Sequence, residues 1–248
     1  VFTAGGAQAI AAFAYANLTI PMPFVIVGPG NIFVALAKKL VYGLVNVDMI
    51  AGPSEILVIA DAKSNPVFVA ADMLSQAEHD KLASAVLVTE SERLALAVQG
   101  EIERQLALMP REEIARASIE NNGKIIVCES IQRAVDIANQ IAPEHLEVCV
   151  DDPMALLPSI KNAGSIFLGR YTPEALGDYY AGPNHTLPTG GSAKYSSPLS
   201  VDDFLKKSSY IMYTKDGLEE AADCVIKFAE SEGLCGHANS VKVRTDKA

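Results

Sequence analysis

Short uninterrupted apolar runs alternate along this chain with longer stretches in which apolar residues recur every three or four positions. Phe24-Val25-Ile26-Val27, Ile56-Leu57-Val58-Ile59-Ala60, Ala85-Val86-Leu87-Val88, Ile125-Ile126-Val127-Cys128 and Ile166-Phe167-Leu168 lack the polar alternation of a half-exposed strand. They predict strands of a mostly parallel sheet, the first of them buried on both faces. Helices are predicted over Gly5–Ala16, over Ile32–Lys39, and from Pro66 to about Asp80, where Ser64 or Asn65 caps the start. After Ser91, the residues Leu94, Val98, Ile102 and Leu106 form a further apolar helical stripe. Strands alternating with helices in this way specify an α/β architecture.

The texture changes at Tyr171. From there to Ser200 the chain is dense in Gly, Pro, Ser and Thr, and it carries Asp178, Tyr179, Tyr180, Asn184 and His185. A segment of this length is either functional or a disordered connector; its aromatic residues and His185 favour function.

Composition narrows the field of partners. Thirty acidic against twenty basic residues give a net charge of −10, which excludes the basic footprint that nucleic-acid binding requires. No uninterrupted apolar run approaches the roughly 20 residues of a membrane span. Cys128, Cys149, Cys224 and Cys235 form no C-x-x-C pair and follow no secretory signal, which predicts reduced thiols and a cytoplasmic protein. The chain opens on Val1, already among helix-like residues, and so reads as a fragment.

Four histidines carry the candidate chemistry. His79 stands three residues after Gln76 at the end of the Pro66 helix, so both would share one helical face. An amide oxygen and an imidazole converging there could ligate a metal; the alternative is a polar helix end favoured by the helix dipole. His145 follows Glu144 between a helix and a strand, where adjacent carboxyl and imidazole suit proton transfer near neutral pH, or simply form a solvated turn. His185 lies in the long segment, and His237 follows Glu232-Gly233-Leu234-Cys235-Gly236 near the end. Mixed Gln, His and Asp ligands would suit a catalytic or substrate-holding zinc better than a structural one. Gly28-Pro29-Gly30, between a strand and a helix, resembles the start of a dinucleotide fingerprint, but Phe33 occupies the place of its third glycine. Gly52-Pro53-Ser54 is a similar turn whose hydroxyl could face a ligand.

Taken together, these motifs resemble the histidinol dehydrogenase family in order and spacing. The matching runs are Gly5-Gly6-Ala7-Gln8-Ala9-Ile10, Gly28-Pro29-Gly30-Asn31, Ala51-Gly52-Pro53-Ser54-Glu55, Ser75-Gln76-Ala77-Glu78-His79, Ala142-Pro143-Glu144-His145-Leu146-Glu147, Gly169 through Gly191, and Glu232-Gly233-Leu234 with His237. The resemblance covers essentially the whole chain. It implies NAD- and zinc-dependent oxidation of L-histidinol, through L-histidinaldehyde, to L-histidine. The zinc ligands it implies are Gln76, His79, Asp178 and His237, the last supplied by the partner subunit of a homodimer that exchanges its C-terminal segment. It makes His145 the base and Glu144 the activator of the water added to the aldehyde. Ser54, Gln76, His79, His145, Asp178, His185, Glu232 and His237 would face the substrate, and Gln8 and Asn31 the dinucleotide.

The implied fold is a pair of incomplete domains of Rossmann-like parallel sheets flanked by helices, followed by a helical C-terminal tail. Residues 1–53 would be a remnant of the second domain, 54–199 the main domain with zinc and acid–base residues, and 200–248 the exchange segment. Family members are longer; the portion this chain lacks would carry sheet elements and a dinucleotide-contacting tyrosine, which predicts impaired activity and exposed sheet edges. Two other functions remain to be weighed. One is a dehydrogenase of the same superfamily acting on another alcohol, such as a sulfonated diol. The other is a non-catalytic zinc-binding dimer module.

Overall fold

The computed structural model describes residues 1–245, and the chain divides into two compact units, Val1–Phe204 and Leu205–Ala248. The first unit opens with α1 (Gly6–Tyr15), β1 (Val25–Ile26), α2 (Ile32–Val41) and β2 (Asn46–Val47). β1 and β2 pair in parallel, and Ile10, Ala14, Ile26, Val41, Val45 and Val47 form a small core between strands and helices. The expectation that Phe24–Val27 is buried on both faces is wrong. Only Val25 and Ile26 are in the strand, Phe24 is 91% exposed, and Val27 is also exposed. Among the described residues β1 has one strand neighbour, and its core gathers on a single side, so only the inward Ile26 is sequestered.

The larger sheet holds β3 (Glu55–Ala60), β4 (Ser84–Thr89), β5 (Lys124–Val127), β6 (His145–Cys149) and β7 (Ser165–Leu168). Their order is β5-β4-β3-β6-β7 and every pair is parallel. The apolar runs are continuous because helices cover both faces. Ile56, Val58 and Ala60 pack on one side with α3 (Pro66–Ala77), α4 (Glu92–Leu106) and α5 (Glu112–Asn122). Leu57, Ile59, Leu146 and Val148 pack on the other with α6 (Ile131–Ile141). The stripe Leu94, Val98, Ile102 and Leu106 is buried as its spacing predicts. Local capping sets the helix starts: Asn65 accepts from Val67 N (2.9 Å), Ser91 from Leu94 N (3.2 Å) and Ser130 from Arg133 N (3.2 Å).

Two boundaries differ from expectation. α3 stops at Ala77, so His79 sits on the following turn and does not share a helical face with Gln76; its backbone N–H still donates to the Gln76 carbonyl (3.2 Å). The segment after Tyr171 is not structureless. Beyond the short α7 (Pro153–Leu156) and β7 it contains α8 (Glu174–Tyr179) and a one-turn 3-10 helix at Ser192–Lys194. The second unit contains α9 (Lys215–Ser231) and α10 (Cys235–Lys242), joined through Gly233 at φ +74°. The helical tail is as expected.

Glycine permits the closest approach in the first unit. A Cβ on Gly177, in α8, would stand 2.5 Å from Phe167 Cε1 on β7. Gly177→Ala is expected to push α8 off the sheet and lower stability by about 1–3 kcal/mol. Urea denaturation measures this, and Phe167→Leu in the same chain should restore much of the loss.

Candidate functional site

A cavity of about 370 Å³ opens where two sheets meet end to end. Its floor is the amino edge of the larger sheet: Ser54 precedes β3, Glu144 precedes β6, and His145 is the first residue of β6. Opposite lie Pro29 and Gly30, which follow β1, and Asp48 and Met49, which follow β2. In open parallel sheets ligands collect at the carboxyl ends of strands. The small sheet obeys that rule, and the large one offers its other end.

His145 is held by the strand beside it. β3 and β6 are paired so that Ile56 stands opposite His145, which brings the preceding Glu55 peptide unit under the imidazole. Nδ1 lies 3.0 Å from the Glu55 carbonyl oxygen. A carbonyl can only accept, so Nδ1 carries the proton and Nε2 is the bare nitrogen. Nε2 is buried and has no hydrogen-bond partner. Burial lowers the imidazole pKa, opposed by the Glu55 carbonyl, so the ring is neutral near pH 7. Phe167 flanks it, with ring centroids 5.9 Å apart.

The same peptide unit holds Glu144, whose Oε2 accepts from Glu55 N (2.9 Å). Burial raises this carboxyl to about 8, and the carboxylates of Glu55, Glu174 and Asp178 push in the same direction. Glu144 and His145 are adjacent, with 3.6 Å between Oε2 and Nδ1, yet both are predominantly neutral at pH 7 and form no ion pair. A Cβ on Gly164 would meet the Glu144 carbonyl oxygen at 2.5 Å, so the β7 side closes over Glu144 without a side chain.

Around this pair stand the remaining cavity residues. α3 delivers Gln76, 1% exposed, whose Oε1 is buried without a partner, and the next turn delivers the exposed His79. α8 delivers Glu174 and Asp178, one helical turn apart; His185 and Thr186–Thr189 complete the wall. Of the expected residues, Ser54, Gln76, His79, Glu144, His145, Asp178 and His185 thus line one cavity. An imidazole, an amide oxygen and a carboxylate suit a borderline cation such as Zn²⁺, and the orphaned Gln76 oxygen is a buried acceptor awaiting a partner. His145, Glu174 and Asp178 are a second possible set, with ligand atoms within 4.8 Å of one another.

Four expected residues lie elsewhere. Asn31 is exposed beside Gly30 and caps α2, accepting from Phe33 N (3.1 Å) and Val34 N (3.2 Å). Gln8 is exposed on α1. Glu232 and His237 belong to the second unit, where they line a groove with Cys224, Val225, Phe228, Ala229 and Leu234.

Sequence reading missed three acidic residues. Glu174 is buried, accepts from Ser75 Oγ (3.3 Å), and is raised to about 7, chiefly by burial and then by Asp178. Its signal was present: Glu174 and Asp178 are four apart, on one helical face. Glu147 stands two residues after His145 on the same side of β6, and its Oε1 accepts from Glu174 N (2.7 Å), anchoring the start of α8. Burial, reinforced by the Asp72 carboxyl, pushes Glu147 well above the usual carboxylate range. Glu55 acts through its backbone, while its carboxylate receives Gly190 N–H (3.2 Å).

The family model described as histidinol dehydrogenase matches residues 1–245. The histidinol dehydrogenase of Clostridium acetobutylicum is 59% identical over 98% of this chain, and that of Aquifex aeolicus 58% over 98%. The chain spans 57% of the length of each. The crystal structure of histidinol dehydrogenase from Elizabethkingia anophelis superposes with a TM-score of 0.90 at 41% identity, covering 98% of this chain and 56% of that one.

The raised carboxyls fix a pH dependence for the metal-free protein. Glu144, Glu147 and Glu174 keep protons when folded that an unfolded chain has lost. Stability therefore falls as pH rises from about 4.5 through the folded values. Urea midpoints after chelator treatment should decline between about pH 5 and 9, and Glu147→Gln should make the decline shallower. A parallel decline in the variant would show that Glu147 contributes no such titration.

Proposed function

Because the chain belongs to the histidinol dehydrogenase family, we propose that it carries the metal-holding and acid–base part of an enzyme that oxidises L-histidinol, through L-histidinaldehyde, to L-histidine. The observation that carries this reading is the bare, buried Nε2 of His145 in a cavity shared with Glu144, Gln76, His79 and Asp178. Bound zinc would hold the substrate's amine and imidazole, and bound NAD⁺ would accept the hydride.

Gln76, His79 and Asp178 are the zinc ligands from this cavity, completed by His237 of an exchanged C-terminal segment in a homodimer. Ser54, His185 and Glu232 orient the substrate, and Gln8 and Asn31 contact the dinucleotide. His145 Nε2 takes the hydroxyl proton as the substrate's carbon–hydrogen bond breaks. The proton on Nδ1 stays with the Glu55 carbonyl, which also steadies the imidazolium that forms. Between the two oxidations His145 releases its Nε2 proton to solvent. For the second, the ionised form of Glu144 accepts a proton from water as it adds to the aldehyde carbon, and His145 Nε2 again takes the hydroxyl proton as the second carbon–hydrogen bond breaks. A carboxyl near 8 exchanges protons readily at physiological pH. Residues 1–53 would then serve the dinucleotide, 54–199 the chemistry and 200–248 the dimer. The site belongs to a cytoplasmic protein in this reading, and no described helix is long and apolar enough to cross a membrane.

The alternative cluster of His145, Glu174 and Asp178 would spend Nε2 on the metal and leave no base. Zinc analysis separates the two: His79→Ala should lower occupancy, whereas Glu174→Gln should not. His237→Ala should lower it too, and mixing the His79 and His237 variants should restore a fraction of sites. In the natural protein containing this sequence, His145→Asn should reduce NADH formation from L-histidinol by about 10²–10⁴-fold with zinc content unchanged. Turnover of a sulfonated diol but not of L-histidinol would transfer the protein to another substrate class. Zinc retention and dimerisation without any turnover would make it a non-catalytic module.

A further inference from the structure

α2 carries a charge where its stripe should be apolar. Lys38 is 3% exposed, and its Nζ donates to Asp48 Oδ1 at 2.6 Å, with both side chains buried. The pair reaches further. Lys38 Nζ also donates to the Gly28 carbonyl (2.5 Å), and Asp48 Oδ2 accepts from Gly28 N (2.8 Å). Asp48 Oδ1 additionally accepts from Met49 N (2.6 Å). Both backbone groups of one glycine are therefore occupied, each by a different member of a buried ion pair.

That glycine begins the turn from β1 into α2. Gly28 has φ +116°, a conformation glycine adopts freely and therefore does not enforce. Pro29 and Gly30, next in the chain, line the cavity together with Asp48 and Met49, and Asn31 caps α2. Gly30 cannot carry a side chain, because a Cβ would lie 2.6 Å from Val34 Cβ. Pro29 restricts its own φ and Asn31 is tied to α2, so the free joint is Gly28, and the Lys38–Asp48 pair supplies the constraint that aims the turn from there.

Stability alone does not account for the pair. Buried ion pairs are often no more stabilising than neutral residues of the same shape, while removal of one partner is costly. We propose that Lys38 and Asp48 are positioning residues that clasp the Gly28–Asn31 turn in the orientation that receives the dinucleotide. The clasp rests on the dehydrogenase reading above, in which this turn faces NAD⁺.

The test uses the natural protein containing this sequence, loaded with zinc, and NADH as the probe. Fluorescence titration of Lys38→Met, Asp48→Asn and the double variant should show NADH binding weakened about tenfold. Zinc content should stay at the parental value. Amide exchange at Gly28 and Met49 should accelerate. The double variant should recover the parental melting temperature without recovering NADH affinity, a separation that a purely structural role would not give. Parental NADH affinity in the folded double variant would overturn the clasp. Asn31→Ala distinguishes the failures. Weak binding in that variant beside parental binding in the double one rejects the clasp and keeps the turn as a cofactor contact. The reverse pattern supports the clasp and removes Asn31 from the contact set. A parental protein that binds no NADH sinks the dehydrogenase reading, and the clasp with it.

Discussion

A single peptide unit organises the chemistry of this cavity. The backbone of Glu55 donates its N–H to Glu144 and receives the imidazole N–H of His145 on its carbonyl. Both bonds follow from the parallel register that sets Ile56 opposite His145. A slip of that register by one residue would turn His145 to the opposite face of the sheet. The bare Nε2 and the fixed aim of both groups are consequences of where two central strands lie, whereas burial, against the pull of these two bonds, keeps the ring neutral and lifts the Glu144 carboxyl.

Burial does the tuning. Four carboxyl groups, from Glu55 at the start of β3, Glu144 before β6, Glu147 within β6 and Glu174 on α8, are buried together, and desolvation raises each of them. Left ionised together they would repel strongly in so dry a place. Protonation relieves that in the metal-free molecule, and a bound divalent cation would relieve it differently. The glycines at 164 and 177 make the crowding possible, since each removes a side chain where β7 or α8 closes on its neighbour.

Much of this was legible in the sequence. The alternation of apolar runs with helical stripes gave the parallel sheet, and Glu144-His145 read as a proton-transfer pair. What sequence could not weigh was the number of covered faces: Phe24–Val27 and Ile56–Ala60 look alike, yet only the second has helices on both sides. Nor does a helical pattern show its last turn, so His79 appeared to share a face with Gln76. Glu55 was invisible for a different reason. Its contribution is made by atoms that every residue but proline possesses.

The placement of the cavity at strand beginnings has a consequence for variation. In most parallel sheets the loops leaving the strands build the site and can lengthen freely. Here the larger sheet contributes the approaches to its strands, such as Ala142–Glu144 between α6 and β6, short links whose length is fixed by packing. Insertions there would displace the strand itself. Change on that side of the pocket would therefore come by exchanging side chains at the end of α3, along α8 and in the Thr186–Thr189 wall, while only the turns leaving β1 and β2 keep the freedom to lengthen.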